Sequence, residues 1–393
     1  MLFTHQVYKN YPFAFIERKL FTELTRWLNK LTAYDLSTLD MRGVNTIDEW
    51  LARLDEAGMF VFHSTGTSGK LSFFPRSQTE KEAWVEGTYA FLEAFMPGIR
   101  DLHLSVFWPA YRSGRQAAMR LIAHFGPVLA GNDAEYHSLF DAPMSADFMS
   151  LAMRMKHAQE RGDLTTMDTI KAIFKTKGEI VTLKARKAGL TKNFFDKMVR
   201  DYRGRRVFLM ASATDLLDVA VEGLAAGQEK VFASNSVLLT GGGFKGRKTI
   251  ADWKDILKKF YGVDQVFMSY GMTELNTYNI ACPKGVYHIF PWNISMVLDH
   301  DGTPLPRTGI QTGRAGYFDL LAQTYWGGIL TGDRITVHYD GECGCGRKGP
   351  WIEDNVQRFT ELMGGEDIIS CAGVQSAYSD FMEYISADVP EGA

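Results

Sequence analysis

A largely parallel α/β sheet with flanking helices is the architecture expected of this 393-residue chain. Short β-prone apolar runs recur along it, helix-period segments stand between several of them, and glycine-rich turns follow the ends of the runs. The first 58 residues are expected to be mainly helical. Phe15, Leu20, Leu24, Trp27, Leu28 and Leu31 recur at three- to four-residue spacing, and Thr46 and Asp48 precede the periodic Trp50, Leu51 and Leu54. Residues 59–63 then read as a strand running into a glycine-rich turn, and residues 102–108 as a second strand followed by Ser113-Gly114 and a helix over 116–125. Residues 207–211, 237–240, 266–269 and 294–298 add four more β-prone runs. The expected division is one large domain over 1–340, with a helical preface and a basic helical insertion near 145–206, and a short remnant over 341–393.

Composition excludes the special classes. Hydrophobic residues make up 46% and charged residues 23%, which leaves no case for disorder, collagen or a coiled coil. Forty-three Lys and Arg against 46 Asp and Glu leave a net charge of −3, so neither nucleic acid nor an anionic membrane is expected as principal partner. No apolar run reaches the ~18 residues that span a bilayer, and His5, Lys9, Glu17, Arg18 and Lys19 interrupt the amino terminus. A cytoplasmic monomer or homodimer is the expectation. Within 175–206, eleven Lys or Arg face only Glu179, Asp196 and Asp201. A solvated helical insertion explains that excess, and a docking face for an acidic partner such as a carrier protein or an RNA backbone is the alternative.

Four segments carry chemistry. Ser64-Thr65-Gly66-Thr67-Ser68-Gly69-Lys70 packs hydroxyl residues between two glycines after a strand, so backbone N–H groups, hydroxyls and the charge of Lys70 or Arg76 could cradle phosphate. It is not a Walker A loop, since two residues rather than four separate the glycines and Leu71 follows the lysine. Taken alone, a plain turn explains it better. Ser269-Tyr270-Gly271-Met272-Thr273-Glu274 follows a strand and sets a hydroxyl beside a carboxylate, a pair suited to phosphate and Mg²⁺. Before it, Gly241-Gly242-Gly243-Phe244-Lys245 ends a strand; after it, Thr331-Gly332-Asp333 offers an acid that accepts hydrogen bonds from ribose hydroxyls.

In this order, the four segments resemble the ATP-binding core of the adenylate-forming superfamily of acyl-CoA synthetases, adenylation domains and luciferases. Gly241 to Lys245 and Gly344-Cys345-Gly346-Arg347 resemble its phenylacetate-CoA ligase-like and acyl-protein synthetase branch, which includes the phenazine-biosynthesis adenylating protein. The resemblance spans roughly 44–371 and implies roles. Ser64 to Gly69 would hold the β- and γ-phosphates of ATP, Thr273 the α-phosphate, Glu274 Mg²⁺, Tyr270 adenine and Asp333 the ribose, with Gly271, Met272 and Arg347 completing the nucleotide site. Gly241 to Gly243 would border adenine and the acyl pocket. The implied reaction is ATP-dependent activation of a small-molecule carboxylic acid, aromatic or heteroaromatic, to acyl-AMP and pyrophosphate, the acyl group then passing to an acceptor or partner enzyme. A fatty acyl-protein synthetase and a non-catalytic nucleotide-binding protein of the same fold are the alternatives.

Only 60 residues follow Asp333, so the carboxy-terminal lid of full-length members is expected to be truncated or absent; either adenylation runs without the lid lysine or another lysine, Lys70 or Lys245, replaces it. Cys282 and His288 with Cys343 and Cys345 offer three thiolates and an imidazole, a tetrahedral zinc set. The resemblance implies a structural Zn²⁺ there; reduced thiols beside a surface histidine are the other explanation. Cys371 is either a small buried residue or, as in acyl-protein synthetases, an acyl carrier.

Overall fold

The β-prone runs in the middle of the chain form parallel strands. The computed structural model describes residues 2–65, 70–177, 180–241 and 250–362. They fall into two units: Met1–Gly66, Lys70–Phe91 and Gly271–Ala393 make one, and Leu92–Tyr270 with Thr67–Gly69 the other.

In the second unit, Tyr136–Met144, Ser105–Gly114, Val207–Met210, Val237–Gly241 and Val266–Gly271 lie side by side in that order, every neighbour parallel. Helices Ala117–Ala130, Ala213–Ala225 and Trp253–Tyr261 separate them in sequence. Parallel neighbours need such crossovers, and the apolar faces of the helices cover the sheet. Leu209, Leu216, Leu238, Leu257 and Phe260 meet in the core this makes. Three helices, Ala146–Arg161, Leu164–Lys177 and Ile180–Asp201, occupy the stretch between the strands Tyr136–Met144 and Val207–Met210. The strand Tyr136–Met144 has a mixed burial pattern and no period that marks it in the sequence.

Strand pairing in the first unit is mainly antiparallel, with the short Phe3–Thr4 running parallel to its partner Gly328–His338. Strand Phe60–Thr65 returns as Leu71–Arg76, with Thr65 opposite Leu71 and Phe60 opposite Arg76. The glycine-rich turn therefore joins a hairpin, where strand, turn and helix describe Ser105–Gly114 and Ala117–Ala130 in the other unit. The return strand is buried at all six positions, the polar Ser72 and Arg76 included, so its sequence shows no alternation. A second sheet orders Tyr287–His288, Trp351–Ile352, Gly328–His338, Ile310–Asp319 and Asn293–Leu298, all antiparallel. The short strands Phe3–Thr4 and Gln357–Arg358 also pair with Gly328–His338. Helices Phe21–Asn29 and Ile47–Glu56 form the preface, the latter capped by Thr46, whose hydroxyl accepts from the Glu49 N–H at 3.1 Å.

Among the described residues, no helix is long and apolar enough to cross a membrane.

Candidate functional site

The turn after strand Val266–Gly271 carries Thr273 and Glu274, and its shape is held from behind. Arg76, at the end of the buried return strand, is 0% exposed. Its Nη2 donates to the Thr273 carbonyl at 2.7 Å and the Leu275 carbonyl at 3.0 Å, and its Nε donates to Asn276 Oδ1. The Tyr325 hydroxyl donates to the remaining carbonyl, that of Glu274, at 2.9 Å. Asn276 is anchored further by its N–H on Asp319 Oδ2 and by its side-chain amide on the Tyr325 oxygen at 3.2 Å. Tyr325 rides on a loop fixed by Glu80, which accepts from the Gln323 and Thr324 N–H groups at 2.6 and 2.9 Å. Glu80 also closes a capping box with Ser77: each accepts from the other's backbone N–H, at 2.7 and 3.2 Å.

Burial pushes the Glu274 carboxyl above the ordinary carboxylate value; its own backbone N–H, Arg358 and Arg76 pull it down, and Asp333 pushes it up. Asp333 stands on a strand irregularity. Leu330 pairs with Gly316 and Arg334 with Arg314, so Thr331, Gly332 and Asp333 together face Ala315 alone. Such bulges re-aim side chains beside binding sites. The Thr331 hydroxyl donates to the Ala315 carbonyl at 3.0 Å and accepts from the Asp333 N–H at 3.1 Å. Arg358, opposite Asp333 in register, donates from Nε to Asp333 Oδ1 at 2.9 Å.

Lys70, at the far end of the glycine turn, donates to the Tyr11 carbonyl at 2.6 Å, and burial, with Lys9 nearby, holds its ammonium below the ordinary lysine value. Ser64 lies opposite Ser72 in the hairpin. In the other unit, Gly241 ends its strand opposite Ser269. A Cβ on Gly241 would lie 2.2 Å from Ser269 Oγ, which itself donates to the Thr240 carbonyl at 3.0 Å. Tyr270 is partly exposed next to it on the strand Val266–Gly271. Gly271 is exposed, and a Cβ there would meet Tyr278 Cδ2 at 2.7 Å. Met272 accepts the Leu275 N–H that closes the acid-bearing turn.

The cysteine set converges. One ligand atom each from Cys282, His288, Cys343 and Cys345 lies within 4.8 Å of every other. Cys282 Sγ and Cys343 Sγ are 3.9 Å apart, and His288 Nε2 is 3.2 Å from Cys343 Sγ and 3.1 Å from Cys345 Sγ. Burial, with Arg347 nearby, holds His288 below the ordinary imidazole value, which favours the neutral ring that binds metal. Arg347 lies at this cluster, its guanidinium 5.0 Å from the centre of the Phe290 ring.

Gly66, Thr67, Ser68, Gly69, Gly242, Gly243, Phe244, Lys245 and Cys371 lie outside the described residues, as does the side chain of Thr65. Arg76 is not a spare phosphate-binding charge: it is sequestered from solvent and spent on the 273–276 turn. Arg358, Tyr325, Asn276, Asp319 and Glu80 escaped the sequence analysis. The Ser77-x-x-Glu80 spacing ahead of helix Gln78–Phe95 was a usable signal for Glu80; nothing local marks the others.

No protein-family model and no curated protein sequence matches the chain. Solved structures do match. Over 75% of this chain and 46% of the other, it is similar to ATP-bound MatB from Rhodopseudomonas palustris, at 15% identity and a TM-score of 0.40. It is similar over 95% of itself and 85% of the other chain to an open conformation of 2-hydroxyisobutyryl-CoA ligase in complex with 2-HIB-AMP and CoA, at 12% identity and a TM-score of 0.44. A third likeness is to the luciferase-like enzyme from the nonluminescent Zophobas morio mealworm, at 14% identity and a TM-score of 0.39 over 76% and 56% of the two chains. The chain spans about half the length of MatB.

Proposed function

We propose that this chain is an ATP-dependent, carboxylate-activating ligase of the adenylate-forming type. One observation carries the reading: within a single unit, Glu274 sits on a turn whose carbonyls Arg76 and Tyr325 hold, and Asp333 sits on a strand bulge where the Thr331 hydroxyl and Arg358 hold it. Two acids from separate segments form a setting that a cation and a polyhydroxyl ligand would complete.

In this proposal Asp333 accepts from ribose hydroxyls, Tyr270 packs on adenine, and Thr273 contacts the α-phosphate. Ser64 to Lys70 hold the outer phosphates. Glu274 is the Mg²⁺ ligand; the ion, when bound, neutralises charge building on the phosphate oxygens. The substrate carboxylate is already ionised at neutral pH and needs no general base. Its oxygen attacks the α-phosphorus; as that O–P bond forms, the bond from the α-phosphorus to the bridging oxygen breaks, and pyrophosphate leaves with the electron pair. Lys245 is the proposed cation for the developing charge. The acid is proposed to be aromatic or heteroaromatic, in a pocket lined by Trp108, the 210–220 segment and Gly241.

The cysteine set is proposed to hold a structural Zn²⁺. Four soft and borderline donors at 3.1–3.9 Å spacings suit tetrahedral coordination, since Zn–S bonds of about 2.3 Å place neighbouring sulfurs just under 4 Å apart.

ATP–pyrophosphate exchange against a panel of aromatic, heteroaromatic and fatty acids, with wild type beside Glu274→Gln, tests the activity. Acid-dependent exchange that falls about 100-fold or more in the variant is expected. No exchange with any acid would overturn the proposal.

A further inference from the structure

A buried arginine without an ion pair is costly, and proteins keep one only where its fork is used. Among the described residues no carboxylate pairs directly with Arg76, and its Nη1 has no hydrogen-bond partner. Its charge is instead felt at one remove by Asp319, a buried acid that accepts the Asn276 N–H. Aromatic rings surround the guanidinium: Phe62 at 4.4 Å, Tyr325 at 5.5 Å and Trp84 at 6.0 Å from its central carbon. Such a cage keeps water from competing for the donors and favours the flat cation.

What the fork holds is specific. Across the three consecutive residues Thr273, Glu274 and Leu275, every backbone carbonyl is taken, the outer two by Arg76 and the middle one by Tyr325. The next side-chain acceptor, Asn276 Oδ1, also belongs to Arg76. With those carbonyls tied, the peptide planes on either side of Glu274 cannot turn, and the only freedom left to the residue is its own side-chain torsions. A lysine in place of Arg76 would present donors from one point and could not reach three acceptors arranged around a turn.

Resting on the proposed Mg²⁺ role of Glu274, we infer that Arg76 is a positioning residue: its caged guanidinium, together with the Tyr325 hydroxyl, fixes the 273–276 turn and thereby aims the Glu274 carboxylate at the metal. The charged groups that act on that carboxylate are Arg358, Asp333 and Arg76. Of these, only Arg76 also shapes the backbone that carries it.

Binding of the non-cleavable analogue α,β-methylene-ATP, measured by calorimetry with and without Mg²⁺, separates this role from plain structural support. Tyr325→Phe keeps the ring of the cage and removes only the hydroxyl; Arg76→Lys keeps the charge and removes the fork. Wild type is expected to bind the analogue more tightly with Mg²⁺. In both variants that tightening is expected to shrink by about three- to tenfold, the worth of one or two hydrogen bonds, while metal-free binding stays within about twofold. Variants that melt as wild type does and keep the full Mg²⁺ tightening would overturn the positioning role alone. Wild type that binds the analogue without any Mg²⁺ tightening would overturn the metal role of Glu274 and the inference with it. Should Arg76→Lys fold poorly, Tyr325→Phe decides by the same criterion.

Discussion

Arg358 and Asp333 face each other in register on paired strands, and a hydrogen-bonded ion pair of 2.9 Å joins them. The partners differ in exposure: the aspartate side chain is 5% exposed and the arginine 59%. The pair is therefore open to solvent and screened from one side, and its contribution to folding should not exceed about 1 kcal/mol. Arg358→Ala is expected to shift the denaturation midpoint little. Asp333→Asn, which keeps shape and loses charge, is expected to raise the KM for ATP about ten- to hundredfold with kcat within about threefold, the value of a charge-assisted hydrogen bond. Steady-state kinetics of the two variants side by side check both statements.

Glu274 sets function against stability. Burial raises its carboxyl pKa in the folded chain, so the protonated form is the one that folding favours. Stability from this group is intact below the ordinary carboxylate range and is lost as pH rises through the interval up to the raised folded value. Above the ordinary carboxylate range this group thus destabilises the ligand-free protein. Glu274→Gln is expected to melt at a higher temperature than wild type at pH 7, and the gap is expected to close near about pH 4, where both carry a neutral side chain. Calorimetry at the two pH values without Mg²⁺ provides the check.

The cysteine cluster makes a metal prediction. Purified protein is expected to carry about one equivalent of zinc, and Cys282→Ser is expected to lose it. In the metal-free chain burial pushes the Cys343 thiol up, while for Cys345 burial is outweighed by hydrogen bonds from the Arg347 backbone and the neighbouring thiols, which hold it down, so zinc binding must release at least the Cys343 proton. The apparent zinc affinity should accordingly strengthen between pH 6 and pH 8. Elemental analysis and a competition titration at those two values measure the two expectations; less than about a tenth of an equivalent after gentle purification would sink the assignment.

Gly241 is where a single methyl group should be felt. Its Cβ would sit 2.2 Å from Ser269 Oγ and 2.9 Å from the Ser269 carbonyl oxygen. Rotating the serine relieves the first clash and leaves the second, because a carbonyl in a parallel ladder cannot move away. Gly241→Ala is expected to cost about 1–3 kcal/mol in denaturant unfolding, and Ser269→Ala in the same chain should recover only part of it. Full recovery would mean that the hydroxyl, and not the backbone, sets the spacing.

Much of this was legible along the chain. The helix Phe21–Asn29 follows from apolar residues at three- to four-residue spacing, and the strands Val207–Met210, Val237–Gly241 and Val266–Gly271 from short β-prone runs bounded by turns. Strand Tyr136–Met144 was not legible, because half-exposed side chains on an edge strand leave no period to detect. The hairpin return Leu71–Arg76 was missed for the opposite reason: complete burial erases alternation.

Periodicity and turn chemistry act over a few residues, and at that range the sequence marked the helical preface, the helix after Ser113-Gly114 and six of the strands, while the long antiparallel strands Ile310–Asp319 and Gly328–His338 went unmarked. Which group stands behind a turn is settled by chain closure over long distances. Arg76 and Asn276 are 200 positions apart, Glu80 and Thr324 are 244. An arginine beside a glycine turn looks like a phosphate ligand until folding buries it in Phe62, Trp84 and Tyr325 and leaves three acceptors of one distant turn as its partners. Only the tertiary structure could assign that role, because a buried charge takes whatever partners the surrounding fold leaves within reach.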